Sequence, residues 1–348
     1  MFQRFPKQTI FLLQMITYSI IIPHRDIPGL LQRCLDSIPQ RADLEVIVVD
    51  DNSNSELVDF SQFPGQERLD TTIIFDKSGL GAGRARNIGL EHAKGKWLLF
   101  ADADDFFNYC LNDVLDEYAD NESDIIFFRI SSLDSVYYVN SSRGDFYNAY
   151  FKEYLANMAE GEKKLRYVSG VAWGKLMRRE MVTSNNIKFQ ETRIHEDTKF
   201  GYLTGFYGNK IAVDFRAIYC LTNRQNSLSC TLTDEKILDR MRVVAEKERF
   251  FVDHNIYPAF KYQNCEFIDN LILLKREDKK FLYDKCMEIF SDFSFPTTVI
   301  EEMIAQRILE VQTKNKRRVI DAKQGQNKRI FFSPFRKLLY NVFSWKYQ

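Results

Sequence analysis

Cysteine, net charge and long apolar runs are all scarce in this chain, and each shortage removes a class of protein. Six cysteines stand at 34, 110, 220, 230, 265 and 286 of 348 residues, with no C-x-x-C spacing. Neither a disulfide framework nor a cysteine zinc site fits that scatter. Four of them sit among apolar or aromatic neighbours and read as reduced core thiols of a reducing compartment. The four histidines, 24, 92, 195 and 254, lack ligand spacing. Lys+Arg and Asp+Glu both number 48, so the whole molecule has no polyelectrolyte attraction to nucleic acid. Gln14, Thr17, Tyr18 and Ser19 interrupt the N-terminal apolar stretch and no small-residue cleavage site follows, which argues against a membrane span or a signal peptide. Internal repeats and low-complexity linkers are absent too.

What is present is an ordinary globular balance, 45% hydrophobic and 28% charged, with 29 Phe and 17 Tyr. Short continuous apolar runs at 19–23, 44–49, 72–75, 97–101 and 124–130 alternate with helical spacing at 29–38, 80–93 and 111–119. Strands separated by helices predict an α/β fold with a mainly parallel central sheet covered on both faces. From about Asp234 the pattern changes to amphipathic helices at 237–251, 262–274, 279–290 and 297–311. The chain therefore divides into a leader outside the fold at 1–17, with Met15 as an alternative start, an α/β domain at 18–233, a C-terminal helical extension at 234–312 and a basic aromatic tail at 313–348. From Val311 onward ten basic residues face one acid, Asp321.

Ligands of open α/β sheets bind outside the carboxyl ends of the strands, and the polar clusters fall there: His24-Arg25-Asp26, Asp50-Asp51-Asn52-Ser53 and Asp102-Ala-Asp-Asp105. Asp102, Asp104 and Asp105 crowd like charge where the backbone leaves an apolar run. Such a group is either a solvated acidic turn or a site for a hard divalent cation shared with phosphate oxygens. Asp50 and Asp51 fit either turn chemistry or acceptance from a nucleoside.

The glycine-rich stretch Gly79-Leu-Gly-Ala-Gly-Arg-Ala-Arg-Asn87 fails the G-x-G-x-x-G test, because residues 84 and 86 are arginines, and no P-loop occurs elsewhere. It reads as a loop entering a helix, with Arg84, Arg86 and Asn87 in its first turns. Arginine and a helix N-terminus both suit phosphate. His195-Glu196-Asp197 offers a carboxylate able to serve as a general base, or simply a charged helix start.

Taken in order, Tyr18-Ser-Ile-Ile-Ile-Pro23, Val48-Val-Asp-Asp-Asn-Ser53, Gly83-Arg-Ala-Arg-Asn-Ile-Gly89, Gly95-Lys-Trp-Leu-Leu-Phe-Ala-Asp-Ala-Asp-Asp105, Trp173-Gly-Lys-Leu176 and His195-Glu-Asp197 closely resemble the family 2 glycosyltransferases of GT-A fold, particularly bacterial enzymes of surface-polysaccharide assembly. The resemblance covers roughly residues 18–230. It implies an inverting transfer of sugar from a nucleotide-sugar donor, UDP-linked, to a hydroxyl of a saccharide or lipid-linked saccharide. Asp197 would be the base and Glu196 its neighbour. Pro23, Asp50 and Asp51 would border the nucleoside, and Arg86 and Asn87 the diphosphate. Asp102 and Asp104 match the D-x-D that holds Mn²⁺ or Mg²⁺, with Asp105 beside them. Trp173 and Lys175 would line the acceptor side, and Arg224, opening Arg224-Gln-Asn-Ser-Leu-Ser229, would close over the donor phosphates. His24-Arg25 departs from the aromatic-Asn pair common after the first strand's proline.

The tail suits an anionic membrane surface, which gives an expected place at the cytoplasmic face of the membrane and no nucleic-acid partner. Two competing readings are a nucleotidyltransferase of related fold, against which the Glu196-Asp197 pair counts, and a catalytically inactive membrane-associated scaffold.

Overall fold

The computed structural model describes residues 15–224, 233–261 and 265–323. These fall into two units, divided at Tyr262/Gln263. The first is built on one sheet. In chain order its elements are β1 (Tyr18–His24), α1 (Pro28–Asp36), β2 (Leu44–Asp51), a 3₁₀ turn (Phe60–Gln62), β3 (Thr71–Asp76), α2 (Ala82–His92), β4 (Trp97–Phe100), β5 (Phe106–Phe107), α3 (Leu111–Tyr118), β6 (Ile125–Asp134), α4 (Asp145–Ala156), α5 (Met158–Lys163), a π-helical turn (Lys164–Val168), β7 (Lys175–Arg178), α6 (Arg179–Ser184), α7 (Glu196–Tyr207), β8 (Ile211–Asn223) and α8 (Asp234–Asp253). The strand order is β3-β2-β1-β4-β7-β6-β8-β5.

The half that begins the sheet is parallel, β3 on β2, β2 on β1 and β1 on β4. All seven residues of β1 and all four of β4 are buried, as continuous apolar runs in a doubly covered sheet should be. The other half is mixed: β7 is antiparallel to β4 and to β6, β5 is antiparallel to β8, and β6 with β8 is parallel. Three of the seven pairings are thus antiparallel, more than the strand–helix alternation predicts. The excess comes from β5 and β7, two and four residues long, which are too short to leave a pattern in the sequence.

Two antiparallel steps separate β6 from β4, so both end at the same sheet edge. At that edge β4 departs early. Ala101 N–H still donates to Ile21 O at 3.1 Å, but the next rung on that side would require an N–H from Pro23, which has none. The ladder stops there and residues 101–105 peel away carrying their carboxylates.

Of the four helices expected after residue 234, the first, α8, belongs to the α/β unit. The second unit contains α9 (Cys265–Arg276), α10 (Lys280–Asp292) and α11 (Thr297–Lys323). Its core includes Leu271, Phe290, Ile300 and Ile304, and Arg307 clasps both carboxylate oxygens of Asp269 at 3.0 and 3.1 Å. The leader through residue 14 and the tail from 324 onward lie outside the described residues. Among the described residues no helix is long and apolar enough to cross a membrane.

Helix α7 approaches its neighbours through glycine. A Cβ on Gly201 would lie 2.4 Å from Gly170 O, and one on Gly205 2.2 Å from Arg166 O. Backbone cannot yield as a side chain can, so Gly205→Ala should lower the thermal midpoint by about 3–10 °C. Gly29, in α1 with nothing near its Cβ position, is the control: Gly29→Ala should leave the midpoint level or slightly raised when both variants are followed by circular dichroism.

Candidate active site

The end of β2 carries two adjacent carboxylates with opposite fates. Asp50 is fully buried. Its Oδ2 accepts from His24 Nδ1 at 2.8 Å and from Ser53 Oγ at 2.5 Å, and its Oδ1 accepts from Ser53 N–H at 3.0 Å. His24 Nε2 meanwhile accepts from Ile27 N–H at 3.2 Å, which places the ring proton on Nδ1. Burial alone would raise the Asp50 carboxyl, yet the hydrogen bonds from His24 and Ser53 hold it below the ordinary range. Every oxygen is occupied, so Asp50 fixes the loop after β1 and does not face a nucleoside. The departure at His24 has the same explanation: it is a core partner of Asp50. Pro23 is likewise buried within β1.

Asp51 points the other way. Both its oxygens accept from Gly81 N–H at 3.1 Å, and Arg25 Nη1 approaches at 3.3 Å. Burial raises its carboxyl against those two donors. The glycine-rich loop is therefore docked on Asp51 just as it opens α2.

Within α2 the two arginines diverge. Arg84 turns to β3 and donates to Asp76 at 3.1 Å. Arg86, with only 6% of its side chain exposed, donates through Nη2 to Asp102 Oδ1 at 2.5 Å and through Nη1 to Glu196 Oε1 at 2.9 Å. One guanidinium thus joins the acidic turn after β4 to the first turn of α7. Its Nε is buried with no hydrogen-bond partner among the described residues, and its guanidinium carbon lies 5.4 Å from the Phe189 ring centre.

The neighbouring Asn87 works on backbone. Its amide donates to Phe189 O at 3.0 Å and accepts from Phe189 N–H at 2.8 Å. Through these two bonds Asn87 holds the segment before α7, its carbonyl and one amide N–H committed to backbone. Gly83 permits the approach, since a Cβ there would stand 2.0 Å from Gln190 O.

The acidic turn also divides. Asp105 is buried, accepting from Thr222 N–H and Tyr219 O–H, each at 2.7 Å. Burial, then Asp102 and Asp104, raise its carboxyl well above the usual range. Tyr219 in turn accepts from Asp102 N–H at 2.9 Å, so Asp105 braces the turn from below. Asp102 and Asp104 remain partly exposed, at 33% and 20% of their side chains. Asp104 Oδ2 accepts from Arg224 Nε at 2.8 Å, which brings Arg224 to the D-x-D. The residues after it, through 232, lie outside the described residues.

Asp102, Asp104 and Asp105 each bring one carboxylate oxygen within 4.8 Å of the others. An all-oxygen set suits Mg²⁺ or Mn²⁺. Since Asp105 is already satisfied, Asp102 and Asp104 are the fitting ligands. Each keeps one oxygen, Oδ2 and Oδ1 respectively, that takes no hydrogen bond among the described residues.

Asp197 follows Glu196 at the start of α7, behind His195 in left-handed conformation at φ 58°. Its carboxylate is partly buried and takes no side-chain partner among the described residues. Burial, with Glu196 and Asp102 reinforcing and Arg86 opposing, pushes it up to about 7. This segment is held by α8, a helix the sequence reading assigns to a separate region. Arg240 donates to His195 Nε2 at 3.0 Å, Asp239 pairs with Arg193 at 2.9 Å, and Glu246 accepts from Gln190 at 2.8 Å and pairs with Lys199.

Trp173 and Lys175 do not line an open cleft. Trp173 is 6% exposed, stacked on Tyr219 with 5.7 Å between ring centres. Lys175 is 2% exposed; it donates to Val171 O at 2.7 Å, and burial, opposed by Asp197, pushes it down to about 8. Both support the floor of the site. Tyr219 and Arg33, whose Nη2 donates to Asp104 O, are site residues that the sequence reading missed. They belong to no motif, and the largely apolar run 211–221, broken by Asp214 and Arg216, is the sign of β8 in the sequence.

Residues 19–183 match the family described as glycosyl transferase family 2. A cholesterol galactosyltransferase of Borreliella burgdorferi is 27% identical over 244 residues, covering 65% of this chain and 66% of that protein. The poly(ribitol-phosphate) beta-N-acetylglucosaminyltransferase TarS of Staphylococcus aureus is 25% identical over 241 residues, covering 66% of this chain and 40% of that protein. The matched part thus spans between 40% and 66% of the length of these relatives. The crystal structure of S. aureus TarS 1–349 in complex with UDP-GlcNAc superposes with a TM-score of 0.59 at 18% identity, over 92% of this chain and 95% of that one. With the sheet, the D-x-D turn and the Glu-Asp pair where the motifs place them, residues 19–183 form a glycosyl transferase family 2 domain and the chain has the GT-A fold.

Proposed function

We propose that this chain transfers a sugar, with inversion, from a nucleotide-sugar donor to a hydroxyl of a saccharide or lipid-linked saccharide. The observation that carries the reading is the Arg86 bridge: a single buried cation gathers the D-x-D carboxylate and the Glu196-Asp197 pair around one centre. Donor phosphates and an acceptor hydroxyl must meet at such a centre. A UDP-linked donor is supported by Asp51 at the end of β2 and by the UDP-GlcNAc bound to TarS.

Asp197 takes the acceptor proton as the hydroxyl attacks the anomeric carbon. Among the described residues no side chain claims its carboxylate, and burial raises it to about 7, the condition a general base needs at neutral pH. Glu196 is neutralised by Arg86 and positions its neighbour. Arg86 and Arg224 face the departing diphosphate, and their charge stabilises it as the glycosidic bond breaks. A divalent cation held by Asp102 and Asp104 would add Lewis-acid stabilisation of that leaving group. Relatives carry names that point to a sterol and to a poly(ribitol phosphate) as acceptors, so the family alone does not set the acceptor, and a role in surface-polysaccharide synthesis is part of the proposal.

Asp197→Asn should lower transfer about 10²–10⁴-fold while the thermal shift produced by UDP with Mn²⁺ stays within experimental scatter; full turnover in this variant would remove Asp197 as the base. The base must be ionised, so log(kcat/KM) should climb with unit slope as pH rises toward about 7 and level off above it. A flat profile from pH 5 to 8 would contradict that assignment.

Arg240→Met frees the His195 turn without touching donor or acceptor. It should cut kcat about 10- to 100-fold with donor KM nearly constant, and Arg240→Lys should recover part of the loss. An equal change in both kinetic constants would mean that α8 serves stability alone.

A further inference from the structure

β6 and β8 run in parallel to the sheet edge that bears the active site, ending with Asp134 opposite Asn223. The next residue, Arg224, holds Asp104. Beyond Asp134 the chain makes a tight turn and returns through the bridge between Leu133 and Asn140. That turn is heavily tied. Asp134 Oδ1 accepts from Val136 and Tyr137 N–H, both at 2.9 Å. Asp134 also accepts from Tyr138 N–H at 3.0 Å and donates to Val139 O at 2.8 Å, while Ser135 N–H donates to Asn223 O at 2.9 Å. Tyr138 takes the left-handed region at φ 54°.

This ordered turn nonetheless presents four consecutive apolar side chains to solvent: Val136, Tyr137, Tyr138 and Val139 are 70%, 77%, 55% and 58% exposed. Arg33, from α1, connects it to the D-x-D. Its Nη1 donates to Tyr138 Oη at 3.3 Å, its Nη2 donates to Asp104 O, and its guanidinium lies over the Tyr138 ring at 5.8 Å and the Phe106 ring at 5.3 Å.

We infer that this turn is the saccharide subsite of the acceptor, with the rings of Tyr137 and Tyr138 packing on pyranose faces. The inference rests on the glycosyltransferase reading and supplies its acceptor side. Along the sheet edge Asp51 lies on β2, the D-x-D follows β4, and the turn after β6, bonded to the end of β8 through Ser135 and Asn223, lies on the far side. The donor nucleoside takes the β2 side, so an acceptor approaches from the other. A pyranose offers an apolar C–H face rimmed by hydroxyls, which flat rings beside hydrogen-bonding groups complement. A turn meant only to enter a lipid surface has no need of a side chain fastening its tyrosine to the metal-binding backbone. The cationic group here is directed inward, to Asp104, and not outward to lipid phosphates.

The test uses the full chain with Tyr137→Ser, Tyr138→Phe and the double variant Tyr137→Ser/Tyr138→Ser, probed on an array of defined oligosaccharides in the presence of UDP and Mn²⁺. The Tyr137 side chain makes no hydrogen bond among the described residues and is 77% exposed, so its replacement should leave the melting temperature unchanged. Wild type should bind a subset of the saccharides, Tyr137→Ser about tenfold more weakly, the double variant not at all, and Tyr138→Phe, which keeps the ring, nearly as well as wild type. Equal saccharide binding by wild type and the double variant overturns the inference, as does an array on which wild type binds nothing. Loss of binding to phosphatidylglycerol–phosphatidylethanolamine vesicles by the double variant, with saccharide binding retained, overturns it in favour of a lipid contact. Failure of the glycosyltransferase reading shows separately, as absence of any UDP or UDP-sugar thermal shift in wild type.

Discussion

The site depends on keeping one guanidinium buried. Arg86 is removed from solvent inside α2, and a charge in that position is tolerable only while carboxylates face it. Asp102 and Glu196 do so from positions 16 and 110 residues away in the chain. Losing both contacts would leave a buried charge uncompensated, at a cost of about 3–5 kcal/mol. The arginine therefore dictates that the turn after β4 and the start of α7 meet. Much nearby structure serves that meeting. Gly83 lets the segment at 189–190 come close to α2, Asn87 pins its backbone, and Phe189 stacks on Phe200 at 3.9 Å and meets Phe100 edge-on at 5.1 Å. Because Phe100 is the last residue of β4, the aromatic cluster ties the same two elements that Arg86 joins by charge.

Reading the sequence located the elements whose signals are local. β1, β2 and β4 announce themselves as apolar runs, α2 by its glycine entry, and the acidic turn by its composition. Non-local structure stayed hidden. The short β5 and β7 exist because β8 and β4 are there to pair with, so the antiparallel half of the sheet had no signature. Helix α8 has a plain amphipathic pattern, but nothing in that pattern says that Arg240, Asp239 and Glu246 reach the segment at 190–199. The family motifs brought Arg86, Asp102, Asp104, Glu196, Asp197 and Arg224 to one place. They misled on Asp50, Asn87, Trp173 and Lys175, because a motif records which residues accompany a site and not which of them face its ligand. Their partners separate the two groups: Asp50, Asn87 and Lys175 are spent on fixed neighbours and Trp173 is stacked on Tyr219, whereas Arg86 and Arg224 are paired with the acidic turn itself.

The carboxylates of the site illustrate the division most directly. Asp50 and Asp105 are the inward members of their pairs, and each has both oxygens occupied by neutral donors, His24 with Ser53 in one case and Tyr219 with Thr222 in the other. Asp102 and Asp104 are the part-exposed members, and Asp51, itself buried, resembles them in its partners. Their partners are arginines or a loop N–H, groups that a diphosphate or a cation can compete for. Inward carboxylates build the frame on which the outward ones are aimed.

A consequence concerns order of occupancy. Without ligands, Arg86 and Arg224 spend their charge on Asp102 and Asp104, and the same carboxylates are those suited to a divalent cation. A cation entering that pair weakens the hold of the acids on the arginines, and a diphosphate weakens the hold of the arginines on the acids. Each ligand thereby relieves the charge that the other must confront. Binding energies linked in this way are reciprocal: on the proposed function, cation and nucleotide diphosphate would each raise the affinity of the other.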